Sequence, residues 1–197
     1  ELRLNQRLAP QLYLDVLPVL GSVRQPRIGS AHEAGAAIDW VLRMRRFAPG
    51  SELDALVRAG QLQGFELDAF AARLAHFHAQ APVAGQDSDW GRPAQVGQSI
   101  ADVLDQLAAL LSGAEAARLA ALRAWFGARQ PALAGHWAAR RAAGQVRECH
   151  GDLHLGNMVR IDGEITAFDC LEFSPALRWI DTLADAGFLT MDLHAHG

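Results

Sequence analysis

The sequence predicts an α+β fold, with a small antiparallel sheet, a long helical stretch, and then a short loop and hairpin set between helices. Three observations predict it. Residues 12–19 and 38–44 are β-prone apolar runs, and residues 48 to about 145 carry apolar stripes at helical spacing. Between Cys149 and Phe173, Asp162-Gly163 divides two further short apolar runs. Half of the 197 residues are apolar, enough for one good-sized domain or two small lobes.

Glu1 to Ala9 reads as the tail of a helix stopped by Pro10. Leu12 to Val19 mixes bulky apolar and β-prone residues, and Ile38 to Met44 alternates in part with period two. Both are expected strands, joined by the Gly- and Pro-containing segment 21–37. In Arg45-Arg46-Phe47-Ala48-Pro49-Gly50 the pattern changes from strand to helix, and Pro49-Gly50 marks a break. Leu67, Phe70, Leu74 and Phe77 fall on one face of a helix from about Glu66 to Ala79. Residues 80–99, rich in Gly and Pro, make a surface excursion. Ile100, Val103, Leu104, Leu107, Leu110 and Leu111 form a second stripe, and both stripes are expected core. Residues 114–143 make one long helix or two split near Pro131. Ser174-Pro175 then offers a cap and a first helical position for a helix running through Leu193. Trp179, Ile180, Leu183, Gly187 and Phe188 share one side of it, with Asp181 and Asp185 interrupting.

The chemistry concentrates in residues 149–173. Asp152 and Asn157 are five apart, with Gly156 between them, and Asp169 follows twelve residues after Asn157. Asp-Gly supplies the positive φ values of a two-residue type I′ turn, so Met158–Ile161 and Glu164–Phe168 are expected to pair across it. Pairing returns Asp169 beside Asn157, where a carboxylate and an amide oxygen can face one ion. Hard oxygen donors suit Mg²⁺, which takes one or two protein ligands and completes its shell with water and phosphates. His150 and His154, four apart, could instead be read as zinc ligands on a helix face. Gly151 and Gly156 favour a loop, and no third ligand stands at a metalloprotease spacing. Cys149 and Cys170 read as small buried thiols.

Protein kinases use the same spacing: a catalytic-loop Asp, a metal-binding Asn five residues on, and a second metal-binding Asp after a hairpin. With His-Gly-Asp and Leu-His-Leu-Gly-Asn, this loop resembles the aminoglycoside phosphotransferase family and its choline-kinase-like relatives. The resemblance implies a protein-kinase-like two-lobe fold. Residues 1–47 would be the remnant of an amino-terminal β lobe with its hinge, and residues 48–197 a helical carboxyl lobe. It implies ATP and Mg²⁺ as cofactors and a small-molecule hydroxyl as acceptor. Asp152 would be the catalytic carboxylate, and Asn157 and Asp169 the Mg²⁺ ligands. Met44, Arg45, Arg46 and Phe47 would form the adenine-binding hinge. His150 would brace the loop backbone, His154 would stand behind the reacting groups, His78 would be structural, and Asp181 would accept loop N–H bonds. Leu-Asn-Gln-Arg-Leu-Ala-Pro, Arg-Trp-Ile-Asp and Phe-Leu-Thr-Met-Asp-Leu are similar to a bacterial subgroup in which such a domain precedes a P-loop ATPase domain. No P-loop motif occurs in this sequence, so that domain would follow Gly197.

A formal charge of -4 and the lack of a basic run argue against nucleic-acid binding. Two cysteines make no disulfide framework and point to a reducing cytoplasm. No apolar stretch has the length of a membrane span or of a signal peptide's apolar region. All 18 basic residues are arginines, so the strand lysine that holds ATP phosphates in kinases has no counterpart here, nor does the glycine-rich loop. The expectation is that the first strands of the amino-terminal lobe lie upstream. The competing reading is a non-catalytic kinase-fold module that binds nucleotide or a regulatory partner.

Overall fold

The computed structural model describes residues 1–33 and 35–196. Ala34, inside the expected 21–37 connection, and Gly197, the last residue of the expected carboxyl lobe, lie outside the described residues. The elements in chain order are α1 (Leu2–Asn5), β1 (Tyr13–Ser22), β2 (Gln25–Ile28), β3 (Asp39–Met44), α2 (Leu53–Arg58) and α3 (Gly64–Gln80). Then come α4 (Pro93–Leu110), α5 (Gly113–Ala142), β4 (Val146–Glu148), a 3-10 turn (Leu155–Asn157), β5 (Met158–Ile161) and β6 (Glu164–Ala167). The chain closes with α6 (Pro175–Arg178), β7 (Trp179–Asp181) and α7 (Thr182–His196). This is the expected α+β class, with small antiparallel sheets beside a helical portion. The chain divides into two compact units, one made of Glu1–Gln80, His150–Arg178 and the residues from Asp185 on, the other of Ala81–Cys149 and Trp179–Ala184.

In the first unit β1 is the centre of a three-stranded antiparallel sheet, order β2-β1-β3. The pairs Leu17↔Val41 and Val16↔Leu42 join the two expected strands. β2 was expected only as connection; it pairs Val19↔Ile28 through Ser22↔Gln25. Pro26 hides it in the sequence, yet proline is tolerated because β2 is an edge strand. The hairpin pairs as its turn dictates, Met158↔Ala167 to Ile161↔Glu164, with φ of 51° at Asp162 and 84° at Gly163. Phe70, Leu74 and Phe77 of α3 pack with Leu53, Leu56, Leu153, Leu155, Met158, Ile165 and Leu189 in one core. A second cluster joins Ala9, Leu12 and Tyr13 to Val159 and Ile161 of β5. Loop residues 152–155 thus alternate: Leu153 and Leu155 are fully buried, and Asp152 and His154 face outward. That alternation, with apolar side chains anchored in a preformed core, aims the polar ones.

In the second unit α4 and α5 pack through Leu104, Leu119 and Phe126, with Ile100, Leu111, Leu133 and Trp137 against them. The stripe on α4 is only half core: Val103, Leu107 and Leu110 are exposed, since one partner helix covers only one side of so wide a stripe. α5 runs unbroken through Pro131. The Arg141 guanidinium gathers the carbonyls of Gly85, Gln86, Ser88 and Trp90, tying down the first part of the excursion expected over residues 80–99, whose end, from Pro93 on, is already α4. A further correction concerns residues 174–193, which do not form one helix. Trp179–Asp181 is a strand, because Val146↔Asp181, Arg147↔Ile180 and Glu148↔Trp179 pair antiparallel.

Candidate active site

The loop from His150 to Asn157 is held at both ends by carboxylates from α7. Asp185 accepts the N–H of His150 at 3.2 Å and of Gly151 at 2.9 Å. Seven residues on, two helical turns away on the same face, Asp192 accepts the N–H of Leu155 at 2.8 Å. Asp185 is 1 % exposed and also bonds His78 Nε2 at 2.8 Å. Burial alone would raise its carboxyl, but the bonds from His78 and the Gly151 N–H, with His150 nearby, outweigh burial and hold it below the ordinary value.

The loop-bracing place expected for Asp181 is therefore filled by Asp185. Asp181 belongs to β7 and forms a bidentate pair with Arg140 at 2.6 and 2.7 Å, while accepting the Leu183 N–H. Four residues separate the two aspartates, so a helical reading puts both on one face; the strand at 179–181 breaks that equivalence. Asp192 went unnoticed altogether. Its seven-residue spacing from Asp185, two turns along the same helix face, was the available signal.

His150 is fully buried, and both its ring nitrogens are engaged. Nδ1 accepts the Asp152 N–H at 3.3 Å, so the proton is on Nε2, which donates to the Phe168 carbonyl at 2.9 Å. One ring thereby links the loop to the end of the hairpin. Burial pushes its pKa down, keeping it neutral, although Asp185, the Phe168 carbonyl and Asp152 pull the other way. His154 caps the 3-10 turn, its Nδ1 accepting the Gly156 N–H at 3.1 Å. Its Nε2 lies 3.6 Å from Asp152 Oδ2, and its ring meets Phe188 edge-on. Gly151 is required where it stands: φ is +87°, and a Cβ there would lie 2.8 Å from the Leu177 carbonyl oxygen.

Asn157 Nδ2 donates to Asp152 twice, at 3.0 Å to its main-chain oxygen and at 3.0 Å to its carboxylate Oδ2. Two acceptors fix the amide nitrogen on that side, so Oδ1 turns away, with no donor among the described residues. The Asn157 carbonyl accepts the Phe168 N–H at 2.9 Å, bringing Asp169 to the same end of the hairpin. Asp169 is exposed, has φ of 59°, and its carboxylate has no hydrogen-bond partner among the described residues. The surroundings are negative: burial, then Glu172, and to a lesser degree Asp169 raise the Glu1 carboxyl. An amide oxygen and a carboxylate open on their outer side are a donor set for a hard divalent cation. Asp152 adds a half-exposed carboxylate oriented by Asn157.

The expected hinge residues also reach this hairpin. Met44 ends β3 opposite Tyr13, and the Arg45 N–H is taken by the Leu12 carbonyl at 2.8 Å. The Arg45 guanidinium forks onto Asp162 at 2.9 and 3.2 Å. Phe47 packs on Phe168, ring centroids 5.5 Å apart, one residue from Asp169. The main-chain groups of Arg46 and Phe47 make no hydrogen bond among the described residues.

Several known proteins are similar to this chain. Uncharacterized proteins of Mycobacterium tuberculosis and Mycobacterium bovis are each 30% identical over 201 residues, covering 100% of this chain. The chain spans 38% of the length of those relatives. A glucosamine kinase crystal structure aligns over 90% of this chain and 42% of its own, at 22% identity and a TM-score of 0.42. The model of the phosphotransferase enzyme family matches residues 1–189. The chain belongs to the phosphotransferase enzyme family.

Proposed function

We propose that this chain carries an ATP- and Mg²⁺-dependent phosphotransferase site that moves a γ-phosphoryl group to the hydroxyl of a small molecule. The observation that carries the reading is three groups brought to one end of the hairpin: Asp152 oriented by Asn157, the Oδ1 of Asn157, and the carboxylate of Asp169, the last two without a hydrogen-bond partner among the described residues. Asn157 and Asp169 would hold the metal. The chemistry Mg²⁺ supplies there when bound is neutralisation of charge on the phosphate oxygens. Asp152, with Oδ2 occupied by Asn157, offers its other oxygen to the acceptor hydroxyl. It would orient that hydroxyl and take its proton as the oxygen bonds to phosphorus and the bridging oxygen departs with ADP. Keeping both carboxylates in place is the task of the loop, fixed by Asp185, Asp192 and His150.

Residues 44–47 are the proposed hinge. With the Arg45 N–H already used, the groups left for an adenine edge are the open main-chain N–H and C=O of Arg46 and Phe47, beside the Met44 side chain. On this reading residues 1–47 belong to an amino-terminal β lobe with its hinge, and residues 48–197 to the carboxyl lobe. A linked P-loop ATPase domain belongs to the same proposal on the strength of the sequence resemblance, and a cytoplasmic setting on the two free cysteines. The absence of lysine favours one second reading, a nucleotide-binding module without turnover.

Asp152→Asn in the full-length protein tests the reading against a panel of hydroxyl acceptors with Mg²⁺-ATP. Transfer should fall by about 10²- to 10⁴-fold, as for loss of a general base, with nucleotide affinity nearly unchanged. Undiminished transfer removes Asp152 from the chemistry. Nucleotide binding with no transfer in the unmodified protein favours the module.

A further inference from the structure

We propose that Asn5 and Tyr13 are positioning residues for Asp169, together fixing the backbone from which its carboxylate is presented to a divalent cation. The proposal rests on the reading of Asp169 as a metal ligand.

Four consecutive N–H groups leave the end of β6, and each has its own acceptor. Phe168 donates to the Asn157 carbonyl at 2.9 Å and Leu171 to the His150 carbonyl at 3.1 Å, both within the loop. Between them, Asp169 donates to Tyr13 Oη at 3.0 Å and Cys170 to Asn5 Oδ1 at 2.7 Å. These two acceptors are side chains more than 150 residues away in sequence, and each is 1 % exposed. Two nearly fully buried polar side chains aimed at adjacent amides make a built cradle.

The cradle holds a conformation that needs holding. Asp169 is left-handed, which places a residue with a side chain about 1–2 kcal/mol above the right-handed helix; aspartate tolerates it better than most. A residue freed from its bond to Tyr13 can relax towards the extended backbone of β6, and its carboxylate then swings away from Asn157. Tyr13 itself cannot follow. Its ring is packed among Ala9, Leu12, Val159 and Ile161, and Asn5 is braced through Nδ2 on the Glu1 carbonyl at 3.3 Å. Burial, assisted by Asp169 and Glu1 and opposed by the Asp169 N–H, pushes the Tyr13 phenol up to about 12, so it stays neutral. Neither residue touches substrate; both act through Asp169.

Tyr13→Phe removes one oxygen and keeps the ring. Manganese binding in the presence of a non-hydrolysable ATP analogue, followed by the Mn²⁺ electron-spin resonance signal, is measured for the full-length protein, for Tyr13→Phe and for Asp169→Ala. Metal-free melting temperatures are recorded alongside. The proposal expects Tyr13→Phe to weaken Mn²⁺ by about 10-fold, the loss typical of a partner behind a metal ligand, at temperatures where the metal-free variant is fully folded. Asn5→Ser, whose hydroxyl is too short to reach the Cys170 amide, should weaken it in the same direction and serves as the reading should Tyr13→Phe not fold. If Asp169→Ala abolishes Mn²⁺ binding while Tyr13→Phe and Asn5→Ser bind it as the parent does, the positioning role is overturned and the ligand role stands. If Asp169→Ala binds Mn²⁺ normally, the ligand role falls, and the positioning role with it.

Discussion

Replacing Asp185 with alanine isolates what holds the loop from His150 to Asn157 together. The carboxylate accepts two loop N–H groups, at 3.2 and 2.9 Å, and pairs with His78 at 2.8 Å. Alanine leaves three polar groups without their partner, and each orphaned buried group costs about 1–3 kcal/mol. Water entering the space relieves part of this, so the net loss should be about 4 kcal/mol, in the range for breaking a buried pair from one side. For a chain of this size that corresponds to a melting temperature lower by about 8–16 °C. The paired experiment is Asp181→Ala, which breaks a partly exposed pair with Arg140 and should cost about 1 kcal/mol. Thermal unfolding of both variants at neutral pH, with exchange of the Gly151 amide followed by NMR, gives both numbers. Equal losses in the two variants, or a loss below about 1 kcal/mol for Asp185→Ala, would refute the assignment of the loop brace to Asp185. Because the folded-state carboxyl is depressed, its stabilisation is complete above the ordinary value of 3.8 and disappears as pH falls through the lower folded value.

Acid should weaken the fold earlier than that through His150. Its folded pKa lies below 6.5, so as pH drops under 6.5 the unfolded chain takes a proton that the native imidazole refuses. Stability should then decline by about 1.4 kcal/mol per pH unit until the folded value is reached; unfolding curves with no slope between pH 6.5 and 5.5 would contradict this. Gly151→Ala should destabilise by at least about 2 kcal/mol, from the left-handed penalty plus the clash with the Leu177 carbonyl. A denaturant midpoint equal to that of the parent would show that the turn does not need glycine.

The hairpin, and with it the placing of Asp169 at the same end as Asn157, was legible because short-range chemistry dictates it. Asp162-Gly163 demands one turn type, the turn fixes the register, and the register carries Asp169 back to Asn157. The α3 stripe was legible for the same reason, its spacing alone declaring a buried face. The assignment of the brace to Asp181 failed because helical periodicity cannot see that Trp179–Asp181 leaves the helix to pair with Val146–Glu148, a long-range contact. β2 was hidden by Pro26, whose cost depends on whether a strand is central or at an edge, a property of the whole sheet. Tyr13 and Asn5 were invisible as anchors, since buried polar side chains announce themselves only when their distant partners are known. On α4, the stripe expected to be core is half exposed, because how much of it a neighbour covers is not encoded in its spacing.

The central claim is that Asn157 and Asp169 form, with the residues leading into the hairpin, a site for magnesium-bound nucleotide. Thermal unfolding of the chain with and without Mg²⁺-ATP, beside Asp169→Ala, tests it most directly. Ligand at a hundred times its dissociation constant should add about 2.7 kcal/mol, raising the melting temperature by about 5–11 °C, and the gain should require magnesium and vanish in Asp169→Ala. A shift of the same size in the variant, or one that persists without magnesium, would contradict the assignment of the metal to these two residues.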